Sequence, residues 1–180
     1  QFGEITSFLV FAALLANLSG LTAHGFVSVR YFKSPAAQFK LLVSSVVTAL
    51  AATHGIAALL VSLLFPLLAH ALGLSLGYTL LAVLAALFLN LNLVFLAIFQ
   101  SSAQPMRYFR ARLVQGVLEL GLCFGLIYLV TADAGSRIFS YVVAIGASAS
   151  VGLYYCHRSG LVGRGVERIH LKNLMTFGVP

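Results

Sequence analysis

Residues 112–130 read "RLVQGVLELGLCFGLIYLV", a greasy run that carries one carboxylate, Glu119, near its middle. A run of this length approaches the roughly 20 apolar residues that cross a hydrocarbon core. An ionised group at that depth costs roughly 2.5–3.5 kcal/mol or more, so Glu119 has to face protein or water and not lipid. The rest of the chain supplies the setting. Of its 180 residues 61% are hydrophobic and 8% charged, against about 25% charged in an ordinary soluble domain, and the mean hydropathy is +1.02. This composition belongs to an integral membrane protein, and the expected fold is an all-α, polytopic bundle of membrane helices.

Apolar stretches long enough to span predict five helices, over residues 5–28, 41–65, 77–99, 113–130 and 138–155. The second is followed by "PLLAHALGLSLG", where Pro66, Gly73 and Gly77 predict a helix end and a short interfacial loop. Between the runs lie "RYFKSPAAQFK", "QSSAQPMRYFRAR" and "HRSGLVGRGVERIHLKN". These hold Arg30, Lys33, Lys40, Arg107, Arg110, Arg112, Arg158, Arg164, Arg168 and Lys172, whereas the alternate connections hold only Arg137. So lopsided a distribution predicts that the basic loops face the cytoplasm, the N-terminus lies outside and the C-terminus returns to the cytoplasm. The basic residues sit in short clusters between apolar runs, not in one stripe, which argues against nucleic-acid binding despite the net charge of +7.

Gln1 at the start, with no basic segment before the first apolar run, does not read as a signal peptide. An outward N-terminus then calls for a preceding odd span. At the end of the cytoplasmic linker 156–176, after the basic loop, "LMTFGVP" reads as the beginning of a further span. Both ends are expected to be cuts within a longer protein.

Polar residues gather on particular helical faces. Asn17, Gly20, His24 and Ser28 share one stripe of the first span. Ser44, Thr48, Gly55 and Ser62 share another on the second, with His54 beside it. Arg112, Gln115 and Glu119 share a face of the fourth. Small and polar residues at such spacing serve close helix packing, the reading taken for Ser44, Thr48, Ser62, Gly146 and Ser150. Asn90 and Asn92 point to nearly opposite faces, so at least one is expected to be a packing contact. His24 and His54 fit either a proton relay or a hydrogen-bonded packing role. For Glu119 three roles stand open: binding a coupling cation or proton, hydrogen-bonding a sugar hydroxyl in a hydrated cavity, or accepting from Gln115 one turn earlier.

Reaction chemistry lacks its parts. Glu4, Asp133 and Glu167 fall at helix ends or in loops and cannot pair with Glu119 for acid–base work. No GxSxG turn, Walker sequence, HExxH or Cys/His ligand spacing occurs, so no catalytic residue, metal site or cofactor is expected. Cys123 and Cys156 read as packing residues.

Three segments resemble a known family. "FGEITSFLVFAALLANLSGLTAHGFVSVRYF", residues 2–32, looks like the second span of bacterial polysaccharide flippases, which opens on a Phe-Gly pair and ends in a basic cytoplasmic turn. "FLAIFQSSAQPMRYFRARLVQGVLELGL", residues 95–122, is similar to that family's fourth-to-fifth span connection. "LKNLMTFGVP", residues 171–180, looks like its inner linker and the beginning of its seventh span. The resemblance to these lipid-linked oligosaccharide (O-antigen and exopolysaccharide) flippases, in the superfamily that also holds multidrug exporters, covers nearly the whole chain. It implies spans two to six of one six-helix lobe, with the other lobe missing, in the bacterial inner membrane. It also implies alternating access, with transfer of undecaprenyl-pyrophosphate-linked sugars to the periplasmic leaflet and an unidentified coupling ion, proton or sodium. The cavity is expected to be lined from the first, second and fourth spans by Asn17, His24, Thr48, His54, Gln115 and Glu119, with Arg30 and Arg112 attracting the anionic headgroup. The alternatives are a multidrug or cation antiporter of the same superfamily and, less favoured, a membrane enzyme of envelope polysaccharide synthesis.

Overall fold

The computed structural model describes residues 2–129, 133–162, 165 and 167–178, with the backbone alone at His70, Leu129, Arg168 and Gly178. Arg164, Val130 and the closing Val-Pro of the quoted 171–180 segment lie outside the described residues. Every described element is a helix: α1 (Phe2–Ser19), α2 (Ala23–Tyr31), α3 (Ala36–Leu63), α4 (Phe65–Leu72), α5 (Leu76–Ser101), α6 (Pro105–Leu129), α7 (Ala134–Arg158) and α8 (Arg168–Gly178). Five of them, α1, α3, α5, α6 and α7, are long and apolar enough to cross a membrane. This is the architecture of a multi-pass membrane protein.

Local chemistry sets the boundaries. Pro35 precedes α3 and Pro105 opens α6, positions where a missing N–H and a fixed φ do no harm. Ser75 caps α5 by accepting from the Tyr78 N–H, and Asp133 caps α7 by accepting from the Ser136 N–H at 2.8 Å. Asp133→Ala should lower the unfolding free energy by about 1 kcal/mol, seen as a lower thermal midpoint in detergent.

Two expected spans change shape. The first is not one helix over 5–28: it stops at Ser19, turns through Gly20, Leu21 and Thr22, and resumes as α2. Leu21 and Thr22 adopt left-handed φ of 49° and 46°, which no α-helix can include. The expected loop after the second span is partly helical, since Pro66 sits in the first turn of α4 and Gly73, at φ 63°, ends it. Gly77 lies within α5 and breaks nothing. The linker 156–176 likewise contains most of α8, which packs on α2 and α3.

Helix α5 is the axis of the bundle, contacting α1, α2, α3, α6 and α7. The last of these carries Ser136, Ser140, Ala144, Ser148, Gly152 and Cys156, small buried residues four apart, into the contacts it makes with α5 and α6. Such a seam lets backbones approach closely, which is how helices associate where lipid removes the hydrophobic drive. Phe95 fills the place a side chain at 152 would take, with its Cβ 2.7 Å from that position. Of the residues read as packing contacts, Ser44 and Gly146 are buried, but Thr48, Ser62 and Ser150 are exposed.

The basic connections meet at one end. Arg107 hydrogen-bonds Ser159, the Glu167 N–H donates to Ser45, and Phe26 packs on Phe177. Together these join the ends of α2 and α7, the first part of α3, the start of α6 and both ends of α8. The apolar core falls into two clusters. One, at the basic end, is built around Phe26, Leu42, Leu50, Val94 and Phe99. The other is built around Phe8, Leu15, Val61, Ala86 and Val142.

Candidate functional site

Between the two apolar clusters runs a layer of polar side chains at mid-bundle. Along α1–α2 it falls at Ser19 and Gly20, between Ala16 and Ala23; along α3 at Thr53 and His54, between Leu50 and Val61; along α5 at Asn90 and Asn92, between Ala86 and Val94. Each stands in an apolar helix, so each must find partners inside the protein.

The break in the first span is what most of them serve. Ending α1 frees carbonyls that a continuous helix would use. Asn90 Nδ2 donates to Ala16 O at 3.0 Å, and Thr53 Oγ1 donates to Ser19 O at 3.1 Å. Ala16 O also keeps its helical bond from the Gly20 N–H, whereas the Ala23 N–H turns to Gly20 O and leaves Ser19 O to Thr53. Thr53 thus replaces a donor lost at the break, and Asn90 adds a second bond that ties α5 to the last turn of α1. His54, 3% exposed, braces them: its Nδ1 lies 2.7 Å from Leu50 O, so that nitrogen carries the proton and donates. Nε2 is left as an acceptor, 2.9 Å from Ser19 Oγ and 3.3 Å from Asn90 Nδ2. His54 is accordingly a hydrogen-bonded brace at the junction of three helices.

Gly20 makes the arrangement sterically feasible. A Cβ there would lie 2.5 Å from Asn90 Oδ1 and would also strike Ala16 O. Beside the break a cavity of about 140 Å³ opens, lined by Asn17, Gly20, His24 and Asn90 together with Leu89 and Leu93. Asn17 and His24 are exposed toward it. The expected stripe therefore holds across the break for Asn17, Gly20 and His24, while Ser28 lies beyond the cavity lining and donates to His24 O.

On the other side of α5, Asn92 is 1% exposed and donates to Gln115 Oε1 at 3.3 Å; the same oxygen receives Arg112 Nη1 at 3.2 Å. Ser148 Oγ sits 3.0 Å from Asn92 Oδ1 and 2.9 Å from Ala111 O. The two asparagines thus serve separate polar groups on opposite sides of one helix, as their spacing requires.

Glu119 stands apart from both groups. It accepts from Arg137 Nη2 at 3.1 Å, not from Gln115, and the pair borders a cavity of about 90 Å³ with Phe8, Ile138 and Tyr141. The partner escaped the sequence reading because α7 begins at Ala134, four residues before the expected 138. Arg137 thereby moves from a loop into the first helical turn, beside the antiparallel α6.

The proposed lining residues do not form one cavity. Asn17 and His24 share one, His54 braces it from behind, and Gln115 and Arg112 bond each other within α6, on the other side of α5. Thr48 faces outward on α3, its hydroxyl donating back to Ser44 O. Arg30 lines a separate cavity at the basic end. Ser19, Thr53 and Ser148 carried no signal beyond being small and polar, and the four-residue period of the α7 seam is the pattern that would have picked out Ser148. Among the described residues no group of three metal-ligating side chains occurs. No family model, curated protein or solved structure matches the chain.

Proposed function

We propose that the chain is one lobe of a secondary transporter that flips undecaprenyl-pyrophosphate-linked oligosaccharide across the bacterial inner membrane. It would act by alternating access and not as an enzyme. One observation carries this reading: a membrane helix interrupted at mid-bundle, its last turn bonded by side chains of two neighbouring helices, beside an open cavity of hydrogen-bonding groups. Substrate sites of secondary transporters lie near the midplane, at discontinuous helices. Asn17, His24 and Asn90 are amides and an imidazole, the groups suited to sugar hydroxyls. The rival antiporter of organic cations needs a free carboxylate in the span, and Glu119 is already occupied by Arg137.

In this reading the basic end faces the cytoplasm, and the end carrying Phe2, Tyr78 and Arg137 faces the periplasm. A second helical lobe would close over the exposed face of α6, where Met106, Phe109, Leu113, Val117, Leu120 and Phe124 form an apolar stripe. Replacing Asn17 and His24 together by Leu should cut oligosaccharide export by about tenfold or more, since losing two neutral hydrogen bonds costs about 2 kcal/mol. The amount of protein in the membrane should stay unchanged, because both side chains are exposed. Thr48→Val, on the outward face of α3, should be silent. Wild-type export by N17L/H24L would overturn the assignment of this cavity.

A further inference from the structure

At the basic end a second cavity, of about 450 Å³, opens between α2 and α8. Its size falls within the roughly 300–1,000 Å³ of small-ligand clefts. Two walls build it. Arg30 on α2 with Lys33 in the turn just after it, and Asn173 and Thr176, one turn apart on α8, supply the polar side, while Phe26 and Phe177 supply the apolar side. We infer that this cavity is a binding site for the phosphate headgroup of an anionic lipid, with the lipid's first carbons lying along the Phe26–Phe177 wall.

Charge comes first. Among the described residues neither cation meets a carboxylate: the ion pairs formed are Arg137–Glu119, at the far end, and His170–Glu167. Two uncompensated positive charges in one concavity therefore await an anion. Geometry comes second. The Arg30 guanidinium is held over the Phe26 ring, 5.6 Å from its centroid, and that ring packs 5.5 Å from Phe177. The cation is thus positioned by the same rings that form the apolar wall. Hydrogen bonding comes third, since Asn173 lines the same space and its amide has no partner among the described residues.

Loop cations that merely fix topology need no concavity, no amide and no aromatic wall. Here all three converge, and basic pockets at the membrane surface are where lipid phosphates dock. The site goes beyond the transport reading, because it needs only that this end of the bundle meets a lipid surface.

The test uses the purified chain in phosphatidylcholine nanodiscs doped with phosphatidylglycerol bearing a photoreactive acyl chain. Wild type is expected to capture the probe on α2 and α8. Arg30→Gln or Lys33→Gln should weaken capture about 5-fold and the pair about 30-fold. Lys40→Gln, a cation of the same end that does not line the cavity, should change it by less than about twofold. Thr176→Phe fills the mouth at unchanged charge and should also abolish capture, so the proposal does not depend on the charge variants assembling. Undiminished capture by R30Q/K33Q or by T176F would overturn it. An equal loss in K40Q would reduce it to general surface charge and equally overturn it. Protection by inorganic phosphate as effective as by unlabelled phosphatidylglycerol would assign the cavity to the free anion and overturn the lipid reading. N17L/H24L should capture the probe normally while failing in export, so the two readings fail separately.

Discussion

Gly20→Ala should destabilise the bundle by about 3 kcal/mol, the sum of forcing a methyl into a packed contact and losing the Asn90 hydrogen bond. The added carbon has nowhere to go: Asn90 Oδ1 would be 2.5 Å away on one side and the Ala16 carbonyl closer still on the other. Moving Asn90 breaks its bond to Ala16 O, leaving that carbonyl only the Gly20 N–H, and takes a donor away from His54 Nε2. Thr22→Gly should go the other way. Thr22 sits at φ 46°, a conformation that costs a side chain roughly 1–2 kcal/mol and costs glycine little, so this change relieves strain. The signs are what make the pair decisive. In an unbroken helix Gly20→Ala would stabilise by about 1 kcal/mol and Thr22→Gly would destabilise by several tenths. Thermal midpoints of the two variants in one detergent separate the cases; a rise for Gly20→Ala together with a fall for Thr22→Gly would rule out the break.

That break is also where sequence reading reached its limit. Hydropathy does not mark a turn there, because Leu18, Leu21 and Ala23 carry apolar side chains through "NLSGLTAHG" and no proline interrupts it. One glycine within a span is common in membrane helices, and Leu21 and Thr22 are residues that rarely turn left-handed. What supports the turn is tertiary: Thr53 and Asn90, more than 30 and 70 residues away, donate to the carbonyls of Ser19 and Ala16 at the end of α1. The five spans were legible because a membrane imposes length and apolarity on each segment separately. Clustering of the basic connections was legible for a similar reason, since alternation of loops needs only the order of the runs. Which polar groups meet was not legible, because that depends on how each helix is rotated about its axis. Thr48 shows this well: it shares a stripe with Ser44, yet Ser44 is buried and Thr48 is exposed. His54, read as lying beside that stripe, proves to be on the face that matters.

Glu119→Leu should cost about 2–3 kcal/mol, chiefly by stranding the Arg137 cation against apolar neighbours. The figure belongs at the lower end, since the two side chains keep 24% and 39% of their surfaces and Arg137, in the first turn of α7, can swing toward the membrane surface. Glu119→Leu combined with Arg137→Leu should recover most of the loss, giving a coupling energy of about 1.5 kcal/mol in a double-mutant cycle. Export by the same variants then decides what the carboxylate is for. If Glu119 carries a coupling ion, Glu119→Gln abolishes export and removing Arg137 cannot restore it, because no acceptor remains. If Glu119 locks α6 to α7, Glu119→Gln impairs export only through the unpaired cation, and Glu119→Gln with Arg137→Gln regains it. The 3.1 Å contact, with Ile5, Phe8 and Tyr141 around it, points to the lock. A carboxylate whose lone pairs face a fixed guanidinium gains little from a passing cation, and the pair holds α6, the helix with the least buried surface of the five spans, against its neighbour. Failure of the double variant to regain export at wild-type protein levels would return Glu119 to the transport path.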